Sequence, residues 1–161
     1  MSVRTGIGYD SHRLVSGRRL VLGGVELEHE RGLAGHSDAD VLTHAVIDAL
    51  LGAAALGDIG QHFPDTDERY HGADSLELLR SSVALLAEHG FAPAHVDATV
   101  VIERPKLAPA RDAIRERLAQ ALGLAVDHVN VKATRGEGIG FVGREEGAAA
   151  LAVATVVPAP G

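Results

Sequence analysis

Between residues 3 and 14 apolar and small or polar positions alternate, with Ile7, Tyr9 and Ser11 on one side and Gly6, Gly8, Asp10 and His12 on the other. That period of two predicts a β-strand whose second side carries reactive groups. Residues 19–22 and 25–27 are short β-type runs around Gly23 and Gly24, and they read as a small appended hairpin because both glycines accept positive φ. Residues 31–35 look like turn. Ser37, Asp38 and Asp40 then offer an N-cap to a run that stays apolar on nearly every side as far as Leu56, the pattern of a buried helix. Residues 57–67, GDIGQHFPDTD, read as an ordered loop. A second helix opens at Asp74 with Glu77 three positions on, a capping-box-like start, carries Leu76, Leu79, Val83 and Leu86 on one stripe, and stops at Gly90. Residues 95–103 predict a strand, residues 109–122 with Gly123 behind them a third helix, and residues 127–134 another strand. The Gly-rich stretch 136–147 leads into a last apolar run to Val157, read as a strand from its Val and Thr content, although its alanines also suit a helix. This order of elements, with no repeat or linker in 161 residues, predicts a single α+β sandwich domain over residues 1–161 with helices on one sheet face.

Composition narrows the function classes. Hydrophobic residues are 46% of the chain and charged residues 23%, which is ordinary globular usage. The longest apolar stretches fall short of the ~20 residues that cross a bilayer, so no membrane span is expected. Residues 1–8 lack the basic head and apolar core of a secretory signal, and the expected compartment is the cytoplasm. With no cysteine there is no disulfide, zinc finger, iron-sulfur cluster or thiol nucleophile. Fifteen basic side chains against 22 acidic ones leave a net charge of −7, and the basic ones are scattered, which speaks against nucleic acid as the main partner. Five aromatics leave most core volume to Ala, Leu and Val, a thin core that suggests completion by identical subunits.

Asp10 and His12, two apart on a strand, leave the same face with Cα atoms about 7 Å apart, within reach of one metal ion. His44 lies on the buried helix with Asp40 and Asp48 one turn to either side, and a polar stripe on such a helix needs partners. The simplest partner is a cation held by Asp10, His12 and His44, since three protein ligands with an open position are the pattern of a catalytic zinc site. Taken singly, His44 could bond a helix neighbour and Asp10 could cap a turn. His36 and Ser37 stand near a predicted helix N-terminus, a place for phosphate or for plain capping. Asp58, Asp65 and Asp67 could hold substrate hydroxyls or a second cation, or serve turn chemistry. Lys132, Thr134, Arg135, Glu137 and Arg144 gather around four glycines, a composition suited to wrapping backbone around phosphate, yet no Walker or dinucleotide motif is present. No nucleophile elbow supports a Ser/His/Asp route.

The segments GIGYDSH, GHSDADVLTHAVIDALLGAAALGDIG, FPDTD and ERPKLAP, with KAT and GFVGREEG near the C-terminus, resemble the signature segments of the 2-C-methyl-D-erythritol 2,4-cyclodiphosphate synthase family, in order and over almost the whole chain. The resemblance implies a ferredoxin-like subunit with a mixed sheet, a homotrimer with active sites between neighbours, and conversion of 4-diphosphocytidyl-2-C-methyl-D-erythritol 2-phosphate to the cyclic diphosphate with release of CMP, a step of non-mevalonate isoprenoid biosynthesis. It implies zinc on Asp10, His12 and His44, with Ser11 beside them, and substrate phosphate on His36 and Ser37. Asp58, Ile59 and Gly60, then Phe63, Pro64, Asp65, Thr66 and Asp67, would line the erythritol pocket. Pro105, Lys106 and Leu107 with Ala133 and Thr134 would hold the cytidine. Glu137 would help hold a second divalent ion, magnesium or manganese, and Gly136, Phe141 and Arg144 would complete the phosphate end. Arg144 with Glu146 resembles the gate of an axial cavity that can take an isoprenoid diphosphate. The sequence departs from the pattern at Arg135 and Gly136, where two threonines are usual, and Arg135 is expected to replace a transition-state hydroxyl with charge-assisted hydrogen bonds. Two rival readings are a metal-dependent phosphohydrolase, which would release linear phosphates, and a non-catalytic trimer that binds isoprenoid diphosphates without turnover.

Overall fold

The computed structural model describes residues 2–161. In chain order the elements are β1 (Arg4–Ser16), β2 (Leu20–Leu22), β3 (Val25–Leu27), β4 (Arg31–Leu33), α1 (Val41–Ala53), α2 (Ile59–His62), α3 (Ser75–Glu88), β5 (Phe91–Val101), α4 (Arg111–Leu122), β6 (Val129–Thr134), α5 (Gly140–Gly143) and β7 (Gly147–Pro158). Five strands form one mixed sheet in the order β4-β1-β7-β5-β6, antiparallel except for the β5-β6 pair. The longer helices cover one face, with α1 on β1 and β7, α3 on β5 and α4 on β6. This is the mixed α+β architecture that the order of apolar patterns predicts.

Close approach fixes the position of α1. A Cβ on Gly8 would stand 1.9 Å from the Ala45 carbonyl oxygen, and one on Gly6 would stand 2.1 Å from that of Ala49, so helix and strand touch backbone to backbone. On the same face β7 presents Ala148, Ala150, Ala152 and Ala154, all buried. The alanines therefore do not mark a thin core, as composition suggested; they let α1 lie low on the sheet, while Leu42, Ile47, Leu50, Leu79, Leu86 and Leu118 supply the volume around it. The unmet burial is on the other sheet face, where Ile7, Tyr9, Leu151 and Val153 stand in two register rows, 41–70% exposed.

Some expectations need correction. Residues 31–33 are a strand, because the far half of β1 needs a partner and pairs Leu14 with Leu33. β5 starts at Phe91, four residues early, and carries Pro93 at a register shift, the one kind of interior place where a strand tolerates proline. The loop at 57–67 contains the short α2, closed by a capping box between Asp58 and Gln61. The β2-β3 hairpin is no appendage: Leu20 and Leu22 are buried and both turn glycines donate N–H to Asp40.

Candidate active site

β1 carries Asp10 and His12 toward α1, and α1 returns His44 to meet them. The Asp10 Oδ2 atom lies 2.9 Å from His12 Nε2 and 3.0 Å from His44 Nδ1, and the two nitrogens are 3.4 Å apart. Two ligands about 2.0 Å from a tetrahedral ion stand about 3.3 Å from each other, so the spacing fits a divalent metal. His12 Nδ1–H donates to the Ala34 carbonyl at 2.8 Å, which leaves its Nε2 lone pair facing the other two donors. Among the described residues this is the one cluster of three or more such donors close enough to share an ion. Burial works to raise the Asp10 pKa, but hydrogen bonds and charge from His12 and His44 outweigh it and bring the carboxyl down to about 2. Burial alone would lower His12, yet its bond to Asp10 prevails and its pKa lies above the usual histidine value. The ionised Asp10 carboxylate is the form that binds a cation, whereas the proton that Asp10 favours on His12 would have to leave before that ring could ligate one.

Asp40 and Asp48 do not join them. Asp40 is the N-cap of α1 and accepts from Thr43 N–H, Thr43 Oγ–H and the N–H groups of Gly23 and Gly24, and Asp48 accepts from Ile59 N–H at 3.0 Å. The polar stripe of α1 is divided between capping and the donor cluster. The Asp40 carboxylate takes the Thr43 N–H, one of the four donors left free at the start of α1.

The cluster opens into a cleft of about 470 Å³ lined by His36, Ser37, Ile59, Gly60, Phe63, Pro64 and Asp65 as well as the three donors. Gly35, Tyr70 and Leu78 complete the lining, and pattern reading missed them. Tyr70 packs edge-on against Phe63 with ring centroids 5.4 Å apart, an apolar wall visible only once the loop folds back on α3. His36 Nε2–H donates to the Asp67 carbonyl at 2.8 Å. Asp58 caps α2, Asp67 pairs with Arg69, and Thr66 is exposed, so these three frame the cleft without lining it. Ser11 points to the opposite face of β1.

A second cleft, about 170 Å³, is lined by Pro105, Lys106, Leu107, Ala133, Thr134 and Arg135 together with Ile102, Glu103 and Arg111. Among the described residues none lines both clefts. Asp10, Ala150, Val100 and Ala133 form one register row, which sets the metal donors and the second cleft three strand spacings apart, roughly 14 Å. The Gly-rich stretch beside this cleft does not offer free backbone donors at every glycine: Gly136 N–H and Gly138 N–H donate to Glu103 at 2.7 and 3.2 Å. Glu137 is exposed with positive φ, 4.0 Å from the Arg135 guanidinium. Phe141 is 40% exposed, and Arg144 is paired with Glu146.

The family model described as the YgbB family matches residues 3–157. A 2-C-methyl-D-erythritol 2,4-cyclodiphosphate synthase of Salinibacter ruber is 63% identical over 154 residues, covering 96% of this chain and 98% of its own. Among solved structures, a 2C-methyl-D-erythritol-2,4-cyclodiphosphate synthase in its CDP-bound form superposes with a TM-score of 0.88 at 37% identity, covering 96% of this chain and all of the other. The bifunctional IspDF of Campylobacter jejuni superposes with a TM-score of 0.94 at 41% identity; 98% of this chain is covered, but only 43% of that longer one.

Proposed function

This chain belongs to the YgbB family, and from that premise we infer that it acts as the family's cyclodiphosphate synthases do. It is a phosphorus-oxygen lyase of non-mevalonate isoprenoid biosynthesis: 4-diphosphocytidyl-2-C-methyl-D-erythritol 2-phosphate is converted to 2-C-methyl-D-erythritol 2,4-cyclodiphosphate and CMP. The observation that carries this reading is the convergence of Asp10, His12 and His44 at the mouth of a cleft in a chain so similar to known synthases. An oxygen of the 2-phosphate attacks the β-phosphorus, the bond from that phosphorus to the bridging oxygen breaks, and CMP leaves with the bridging oxygen. No protein nucleophile enters, so positioning and charge neutralisation do most of the work.

The donor set of two imidazoles and one carboxylate suits zinc, held by Asp10, His12 and His44. Bound zinc supplies Lewis acidity at a phosphoryl oxygen and a template for the folded substrate. His36 and Ser37, at the rim of the same cleft, hold substrate phosphate, and Ile59, Gly60, Phe63, Pro64 and Asp65 enclose the polyol. Pro105, Lys106, Leu107, Ala133 and Thr134 receive the cytidine, and Arg135 reaches from that cleft's edge toward the diphosphate. Glu137 stands apart from the metal donors and would help hold a second divalent ion, magnesium or manganese. Bending a flexible diphosphate into a ring-ready shape is a proximity effect, with roughly 7 to 11 kcal/mol available from intramolecular precedent.

The active unit is a homotrimer of ferredoxin-like subunits, each chain a single catalytic domain working in the cytoplasm. Two features support the shared site: the clefts are separate on one chain, and the exposed apolar rows of β1 and β7 offer a face for another copy. Arg144, paired with Glu146 beside the exposed Phe141, is the group that would meet an isoprenoid diphosphate on the trimer axis. Among the described residues no helix is long and apolar enough to cross a membrane. The test is product analysis with the diphosphocytidyl substrate: CMP together with a cyclic diphosphate supports the reading, and linear phosphates or no turnover contradict it.

A further inference from the structure

His44 faces the other metal donors through Nδ1, and its second nitrogen meets a pair, buried Ser75 and half-buried Asp38, that lies outside the cleft lining. Nε2 is 2.8 Å from the hydroxyl of Ser75, a fully buried residue in the first turn of α3. That hydroxyl in turn donates to Asp38 Oδ1. Asp38 Oδ1 also accepts the Asp40 N–H at 3.1 Å, and Oδ2 accepts the Ser75 N–H at 3.0 Å, so the carboxylate is held by two backbone donors independently of the hydroxyl.

A hydroxyl has one proton to give. A carboxylate can only accept, so the Ser75 proton goes to Asp38 and the oxygen is left with lone pairs toward His44. Nε2 must then be the donor, and a ring with Nε2–H presents its Nδ1 lone pair to the point shared with Asp10 Oδ2 and His12 Nε2. The opposite tautomer would set lone pair against lone pair at Ser75. Ser37 Oγ, 3.2 Å from the same nitrogen, adds a second oxygen there while it accepts the Ala39 N–H. The N-cap of α3 is Asp74, which accepts the Leu76 N–H, and the Ser75 N–H goes to Oδ2 of Asp38, so the bond from the Ser75 hydroxyl to Oδ1 is not needed to cap that helix.

We propose that Ser75 and Asp38 are positioning residues of the metal centre: the carboxylate fixes the hydroxyl, and the hydroxyl fixes the tautomer and ring angle of His44. The proposal rests on the reading that Asp10, His12 and His44 hold zinc. Partners of this kind behind a ligating histidine typically change metal affinity 10–100-fold, roughly, when removed.

The test measures zinc affinity by competition with a chromophoric chelator for the parent, Ser75→Ala and Ser75→Thr, and follows the His44 ring nitrogens by NMR in the zinc-loaded parent. The expected result is a hydrogen-bonded Nε2–H in the parent, a loss of affinity of about 10–100-fold in Ser75→Ala, and recovery in Ser75→Thr, which keeps the hydroxyl. Affinity within twofold of the parent in a folded Ser75→Ala overturns the proposal. If that variant does not fold, the zinc-loaded parent decides alone: a His44 protonated at Nδ1 and bound through Nε2 overturns it. A parent that binds no zinc overturns the metal reading, and this inference with it, a result distinct from unchanged affinity in the variant.

Discussion

His44 is asked for two things at once, a lone pair toward Asp10 and His12 and a proton toward Ser75. Its i, i+4 neighbours were legible in the sequence, Asp40 among the N-caps offered there, whereas the bond from Ile59 N–H to Asp48 was not. Asp40 became a cap because the glycines that complete its coordination arrive from the hairpin sixteen and seventeen residues earlier. Arg135 is the residue at which the chain leaves the family pattern. It is exposed at the cleft edge, and among the described residues only Glu137 competes for it, at 4.0 Å, so its charge is available to a diphosphate. An Arg135→Ala chain is expected to lose roughly 1.5–3 kcal/mol of transition-state stabilisation, the worth of a hydrogen bond to a charged group, about 10–100-fold in kcat/KM. Steady-state CMP release measures it, and unchanged turnover would show that Arg135 faces solvent.

The contact between β1 and α1 is the element on which the donor cluster depends. Alternation placed Asp10 and His12 on one face of β1, and all-round apolarity placed α1 in the interior, so this half of the site was visible before the structure. Less visible were features set by distant pairing: β4, only three residues long, exists because β1 outruns β7, and Glu103 ties the N–H groups of Gly136 and Gly138 across some thirty residues of chain. At Gly8 a methyl group would meet the Ala45 carbonyl oxygen at 1.9 Å, and backbone cannot swing away as a side chain can. Gly8→Ala is therefore expected to cost about 1–3 kcal/mol or more in denaturant unfolding. It should also weaken zinc binding, because lifting α1 separates His44 from Asp10. Unfolding and zinc affinity both equal to the parent would show that the helix does not rest on the strand as described.

Across the whole molecule, the exposed apolar rows of β1 and β7 and the separation of the two clefts both bear on the proposed homotrimer. Ile7 is 70% exposed within those apolar rows, so a charge there leaves the fold intact but would spoil the proposed contact with a second copy. Ile7→Lys is expected to shift the protein from trimer to monomer by analytical ultracentrifugation and to lose activity with it; an active monomer would place the complete site within one chain. Complementation argues the point independently. His44→Ala removes a metal donor, and Ala133→Trp fills the second cleft, so each chain alone should be inactive. Co-expressed in equal amounts, they should recover about a quarter of parental activity if each site joins the metal donors of one subunit to the nucleotide cleft of its neighbour in a closed ring. Sites confined to single chains recover none. Underlying all of this is the proposal that Asp10, His12 and His44 hold a metal between β1 and α1, and it is tested by zinc titration of metal-stripped protein while CMP release is followed. The expected course is negligible turnover at the start, activity rising to a plateau at one zinc per chain, and no response from His44→Ala; full turnover in the stripped protein would contradict the account.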